Sequence, residues 1–267
     1  MATVYNLARH DRNGEFMNPS LQTLLQAVDA DKSRLDTARP LPLHTLEVLR
    51  EQLTLGWTYH SNALEGNTLT LSETKDALDA AAVAGEPSRE RLEAVNHRDA
   101  IRYVEDIVAG NEILSAQHIQ EIHRLLLKGI DETQAGRYRE HNVPAAGACP
   151  APIDFSQVPA QVAALIEWRA QADKMHPLAR AAELHTRFVK IHPFMGANRP
   201  IGRLLSNVDV MKAGYPPAII RGEDRATYDY ALEGACTTGD VSALTLLIAE
   251  ATQRTLATYL GRLGSSD

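Results

Sequence analysis

The chain has 267 residues, 44% hydrophobic and 23% charged, an ordinary globular composition long enough for one large domain or two small ones. Its formal net charge of −7 leaves no basic nucleic-acid footprint and argues mainly for solubility. No run approaches the roughly 18 apolar residues of a membrane span, and the opening MATVYNLARHDRNGEF lacks the apolar run of a signal peptide. Only Cys149 and Cys236 occur, which implies no disulfide framework and fits a reducing compartment. These features predict a soluble cytoplasmic protein with neither nucleic-acid nor membrane partners.

The first stretch, up to the boundary set by Pro40 and Pro42, is polar and weakly periodic, with a short helix expected around Leu21, Leu24, Leu25 and Val28. From Leu43 to Glu65, the residues Leu46, Leu49, Leu53 and Trp57 recur at helical spacing, and Gly66 and Asn67 are stop residues. Thr70 and Glu73 form a T-x-x-E capping box that opens the next helix. Further helices are predicted at about 89–109, 116–128, 157–172, 178–191, 200–213, 225–236 and 241–262. Between them, 136–159 holds four prolines and two glycines without a helical period, and reads as a loop or short β-hairpin. The RERLE and RYRE runs read as solvated charge, and His123 and His185 as packing or surface histidines. No H-E-x-x-H or paired Cys/His spacing is present, so no metal site is predicted. The fold class expected is all-α.

The sequence IHPFMGANRPIGR at 191–203 joins two buried helix faces, one carrying Leu184, Phe188 and Ile191, the other Ile201, Leu204, Leu205, Val208 and Met211. Pro193 biases His192 out of the helical region, and Pro200 suits the start of the second helix. The helix N-terminus therefore aims unpaired N–H groups and a partial positive charge into the loop, and Arg203 adds an anion-binding fork one turn in. From the residues alone, a capped turn with a satisfied histidine remains an alternative to an anion site.

These residues resemble the Fic (Fido) motif, HPFx(D/E)GNGRxxR. SNALEGNTLTLSE at 61–73 is similar to the S-x-x-x-E-G inhibitory helix of Fic proteins whose inhibition lies N-terminal to the core. GRYREHNVP at 136–144 and VPAQVAALIEW at 158–168 resemble the family's flap and the segment after it; RLLSNVDVMKAGYPPAII and EDRATYDYALEGACTTGD continue the pattern. The resemblance implies a Fic-type helical core with a β-hairpin flap, divided as an N-terminal extension (1–42), an inhibitory-motif region (43–110) and the core (111–262). It implies transfer of AMP, or a related phosphoryl group, from ATP or another nucleotide onto a protein hydroxyl, the target docking on the flap at 136–159. His192 would be the general base, Phe194 an anchor, Asn198 an α-phosphate ligand, and Arg203 a ligand of the outer phosphates or the partner of the inhibitory Glu65, with Ser61 in the same signature. A homo-oligomer is left open.

The loop departs from the motif by substitution, not by spacing. Gly196 stands where the motif has the metal-binding carboxylate, so magnesium loses that ligand. Ala197 and Arg199 replace the two glycines, and Pro200 the first arginine; Arg199 is the candidate substitute guanidinium. Cys236 occupies a position where close relatives often carry a base-contacting asparagine, while Tyr228 remains as an adenine neighbour. The departures keep two alternatives beside an auto-inhibited transferase: a catalytically inactive Fic-like binding protein, and an enzyme with divergent chemistry on a small anionic substrate.

Overall fold

A computed structural model describes residues 19–79, 87–144, 149 and 152–263. Ten α-helices are seen among them: α1 Pro19–Thr37, α2 Leu43–Leu64, α3 Leu71–Asp79, α4 Arg89–Ala109, α5 Ala116–Leu127, α6 Val158–Gln171, α7 Pro177–Ile191, α8 Asn198–Lys212, α9 Arg225–Thr238 and α10 Ser242–Leu263. The chain is all-α, as expected, and none of these helices is long and apolar enough to cross a membrane.

Local chemistry sets the helix starts. The Thr70–Glu73 box closes on both sides: the Thr70 N–H donates to Glu73 at 2.8 Å and the Glu73 N–H to Thr70 Oγ1 at 3.2 Å. Ser88 and Ser115 cap α4 and α5, and Pro177 occupies the first turn of α7. Helices α7 and α8 form the most extensive pair, and α4 lies against α8. The short helix expected near Leu21 is instead the 19-residue α1, packed on α10 through Leu21, Leu25, Val28 and Leu35. The apolar core is continuous from α1 to α10, across all three stretches distinguished in the sequence.

Three sequence expectations are corrected. No strand occurs among the described residues, so the segment after α5 shows no β-hairpin there; 145–148 and 150–151, where its turn would fall, lie outside them. The physical reason is that the segment spends its hydrogen bonds elsewhere: the Arg139 N–H donates to Pro193 O at 2.9 Å, and Pro144 and Pro152 have no N–H to give a ladder. In RYRE, Arg139 is buried, not solvated. Finally, Cys149 and Cys236 are joined as a disulfide with their Cα atoms 5.2 Å apart. Their sequence separation of 87 hid a proximity that only the tertiary fold creates.

The interior holds buried polar groups. Asp209, on α8, accepts from Arg180 Nε at 2.7 Å and from Arg169 Nε, joining α6, α7 and α8. His97, His123 and His185 are all enclosed. Burial pushes the His97 pKa down to about 3, with Arg203 adding to the effect, and the His123 pKa down to about 4, against the opposing charge of Asp131. Burial, then Arg203 and Arg199, hold His185 well below its ordinary value.

Each of these imidazoles titrates near 6.5 when unfolded, so below that pH the unfolded chain binds protons that the folded chain refuses. Stability is therefore full above pH 6.5 and falls as the pH drops from there towards about 4, where His123 protonates in the folded state. Urea unfolding at pH 5.5 should show a loss on the order of 3 kcal/mol relative to pH 7.5; an unchanged midpoint would refute the neutral-histidine core. Opening the disulfide with Cys149→Ser should lower stability by about 2–4 kcal/mol, read under non-reducing conditions, and addition of dithiothreitol to the parent should reproduce the loss.

Candidate active site

The chain reverses between α7 and α8 over His192–Ala197, two of whose residues adopt the left-handed conformation: His192 at φ 49°, ψ 60° and Ala197 at φ 58°, ψ 13°. Such a conformation costs a non-glycine residue roughly 1–2 kcal/mol, so the loop needs anchors. Phe194 supplies one: its ring is fully buried and stacks on His123 with centroids 3.8 Å apart, near Tyr138 and Phe188. Asn198 supplies the other, donating from Nδ2 to Phe194 O at 2.9 Å and accepting from the Phe194 N–H at 3.1 Å. Both ends of the Asn198 amide are thus used within the loop, which makes it a brace.

His192 is half-buried, and its pKa is lowered first by burial and then by the charge of Arg139. The imidazole is therefore neutral at pH 7 and able to accept a proton. Arg139 Nε donates to His192 O at 2.8 Å.

Arg203 is the buried charge of the site. Its guanidinium donates from Nη2 to Ser61 O and Oγ, both at 2.9 Å, and from Nη1 to Glu65 Oε1 at 2.8 Å and Tyr228 Oη at 3.3 Å. Burial works against this charge, but Tyr228 and Glu65 outweigh it and the pKa lies above its ordinary value. The side chain of Arg203 is 5% exposed and that of Glu65 34%, so solvent reaches the pair from the glutamate side. Glu65 is the C-terminal cap of α2, where the helix dipole disfavours a negative charge by roughly 0.3–1 kcal/mol; Arg203 offsets that cost.

Behind Arg203, the fully buried Tyr228 shares its hydroxyl with His185 Nε2 at 3.0 Å. The Arg199 and Arg203 guanidiniums lie 4.8 and 5.5 Å from its ring centroid. Tyr228 thus supports the two arginines and has no exposed face. Arg199 pairs with Asp229 and leaves its Nε buried without a partner. Gly202 is required by the close approach of α7, because a Cβ there would lie 2.7 Å from His185 Cδ2.

Magnesium does not fit as a protein-held ion. Gly196 offers no ligand, Glu65 and Asp229 are engaged by arginines, and no group of three or more His, Cys, Asp or Glu among the described residues could hold a metal. Gly196 is nonetheless exposed, lies outside the left-handed region, and would present a Cβ to open space. A cleft of about 570 Å³ between α6, α7 and α9 reaches the loop only through Ile191 and is not lined by His192, Arg199 or Arg203.

The structure therefore brings Ser61, Glu65, Arg203 and Tyr228 together as one cluster, with Arg199 on the same ring, and places Asn198 in the loop's own framework. It draws Cys236 into the disulfide. Sequence reading missed Arg139 and Asp229. The sequence carries no signal for Arg139, because an arginine in a segment without helical period is ordinarily solvated.

A body of helices with a His-Pro-Phe turn before a buried arginine, itself held by a Ser-x-x-x-Glu helix from upstream, defines a Fic-type domain. The chain belongs to the Fic family. Residues 113–208 match the model of the Fic/DOC family. The chain is 34% identical over 246 residues to a protein adenylyltransferase Fic of Nematostella vectensis, covering 90% of this chain and 56% of that protein. A protein of the same name from Culex quinquefasciatus is 31% identical, covering 95% and 51%. The chain thus spans about half the length of the curated relatives it matches. Among solved structures, Fic-1 from C. elegans superimposes with a TM-score of 0.81 at 26% identity, covering 93% of this chain and 74% of that one. A Fic domain containing signaling protein from Bacteroides thetaiotaomicron gives 0.76 at 26% identity, covering 89% and 97%.

Three substitutions test the loop by urea unfolding. Ala197→Gly should raise stability by about 0.5–1 kcal/mol, because relief of the left-handed strain exceeds the entropy glycine adds to the unfolded chain. Gly196→Asp should stay within about 0.5 kcal/mol of the parent. Gly202→Ala should cost about 1–3 kcal/mol through its collision with His185.

Proposed function

We propose that the chain is the auto-inhibited catalytic domain of a protein adenylyltransferase, one that moves AMP from ATP onto a hydroxyl of a protein target. The observation that carries this reading is the occupation of the Arg203 fork by Ser61 and Glu65. A buried guanidinium at the start of a helix, beside a neutral histidine, suits a polyphosphate. Here a carboxylate fills its place.

In the transfer, the target hydroxyl gives its proton to His192, its oxygen forms a bond to the α-phosphorus, and the bond from that phosphorus to the β-phosphate bridging oxygen breaks. Pyrophosphate leaves, and His192 passes the proton to solvent. Arg203 holds the outer phosphates once Glu65 has withdrawn, and Arg199, exchanging Asp229 for phosphate, supplies the second cation. Asn198 contributes by holding the loop in shape. The target lies along 136–159, whose base is bonded to the His192 and Pro193 carbonyls.

Glu65→Gly should release the site without unfolding it, since Arg203 keeps Ser61 and Tyr228 as partners. Calorimetric titration should show the variant binding magnesium-ATP at least tenfold more tightly than the parent. Equal affinities would reject inhibition by Glu65, and absence of binding to either would reject the nucleotide reading.

A second reading, a Fic fold that binds a partner without transfer, draws on the missing carboxylate at Gly196 and the Arg199–Asp229 pair. It expects His192→Ala to leave partner binding and cellular effect unchanged. The transferase reading expects that substitution to abolish AMP transfer by the Glu65→Gly chain.

A further inference from the structure

Arg139 enters the core from the segment after α5 and is 2% exposed. Its fork is spread over three main-chain carbonyls: Nε donates to His192 O at 2.8 Å, Nη1 to His141 O at 3.1 Å, and Nη2 to Ile153 O at 2.5 Å. Its own N–H donates to Pro193 O at 2.9 Å. Nη1 also lies 3.5 Å from Asn142 Oδ1. No carboxylate forms an ion pair with it among the described residues, although the charge of Asp154 acts favourably on it.

This is an expensive arrangement. A guanidinium taken from water without a counter-ion keeps most of its desolvation cost, and neutral donors could brace a loop for less. Two features show what the cation supplies. The first is geometric: one rigid planar group joins the left-handed His192 to both sides of the 139–154 segment, which a flexible ammonium cannot do. The second is electrostatic: the charge sits against the main chain of the residue whose imidazole must stay neutral.

We propose that Arg139 is a positioning residue, whose guanidinium locks His192 in its left-handed conformation and fixes the two sides of the 139–154 segment in register with the His192 imidazole. The inference rests on the reading of His192 as the base and of 136–159 as the target's docking edge, and it says what couples them. A target bound to this segment is thereby placed relative to the proton acceptor by one side chain. The same charge adds to burial in lowering the His192 pKa.

The test uses the full chain carrying Glu65→Gly as parent, with Arg139→Lys and Arg139→Gln added singly. In the ligand-free protein, the Cα and Hα shifts of residue 192 report its backbone conformation, and the side-chain NMR signals of His192 report its titration. Transfer of labelled AMP from ATP onto the chain itself gives kcat and KM. Both variants should move residue 192 out of the left-handed region and lower kcat about ten- to hundredfold with KM for ATP unchanged. The glutamine variant alone should raise the His192 titration midpoint towards 6.5, while lysine, which keeps the charge, should leave it low. The proposal is overturned if residue 192 stays left-handed in both variants. It is also overturned if the loss of kcat disappears once rates are normalised to the folded fraction at the assay temperature, as a merely structural residue would give. If the parent transfers no AMP, the transferase reading fails, and the two NMR readouts still decide the role of Arg139. Should the glutamine variant not fold, the lysine variant decides it from the conformation of residue 192.

Discussion

The tight reversal between α7 and α8 is the constraint around which the rest of the molecule is arranged. Two helices that share the most extensive interface must be joined by a short turn, and that turn places His192 and Ala197 in a conformation L-residues avoid. The surrounding elements hold it there. Helix α5 offers His123 as a stacking partner for Phe194, α8 turns Asn198 back onto the Phe194 main chain, and the segment after α5 sends Arg139 onto the His192 carbonyl. The loop is therefore defined by packing from three directions, and its shape does not depend on glycine.

Arg203 plays a corresponding part for the polar interior. It draws α2, α8 and α9 onto one guanidinium, and through the Tyr228 hydroxyl reaches His185 on α7. Nearly every group in this cluster has a partner that belongs to a different helix. Removing Glu65, the most solvent-accessible of the clamp, takes away the counter-charge of Arg203 but leaves its donors bonded to Ser61 and Tyr228. This makes Glu65 a releasable contact within a fixed frame.

Much of the fold was legible in the sequence, because most helices bury one face and show it as a 3.6-residue period. The helix predicted at 178–191 is found at Pro177–Ile191, and the capping box at Thr70 closes as its residues required. Helix α1 was underestimated because Asp29, Asp31, Lys32, Arg34 and Asp36 surround Leu35 and blur its apolar face. Ser61, Glu65 and Arg203, singled out through their motif, do come together. What motif position does not give is the set of tertiary partners: Phe194 for Asn198, His185 for Tyr228, and the His192 carbonyl for Arg139. The disulfide lay beyond sequence reasoning for the same reason.

The openness around Gly196 bears on which substitutions this loop can take. In the genetic code, glycine and aspartate differ by a single base, as do alanine and glycine, arginine and glycine, and proline and arginine. A carboxylate at 196, a glycine at 197 or 199 and an arginine at 200 are thus each one nucleotide change from the residue present. The steps are not equally accessible. A carboxylate at 196 enters open space and a glycine at 197 relieves strain, but replacing Arg199 strips Asp229 and the Tyr228 ring of a cation. The fold thus admits a carboxylate at 196 by a single substitution, and resists most at Arg199, whose guanidinium is already committed to Asp229 and Tyr228.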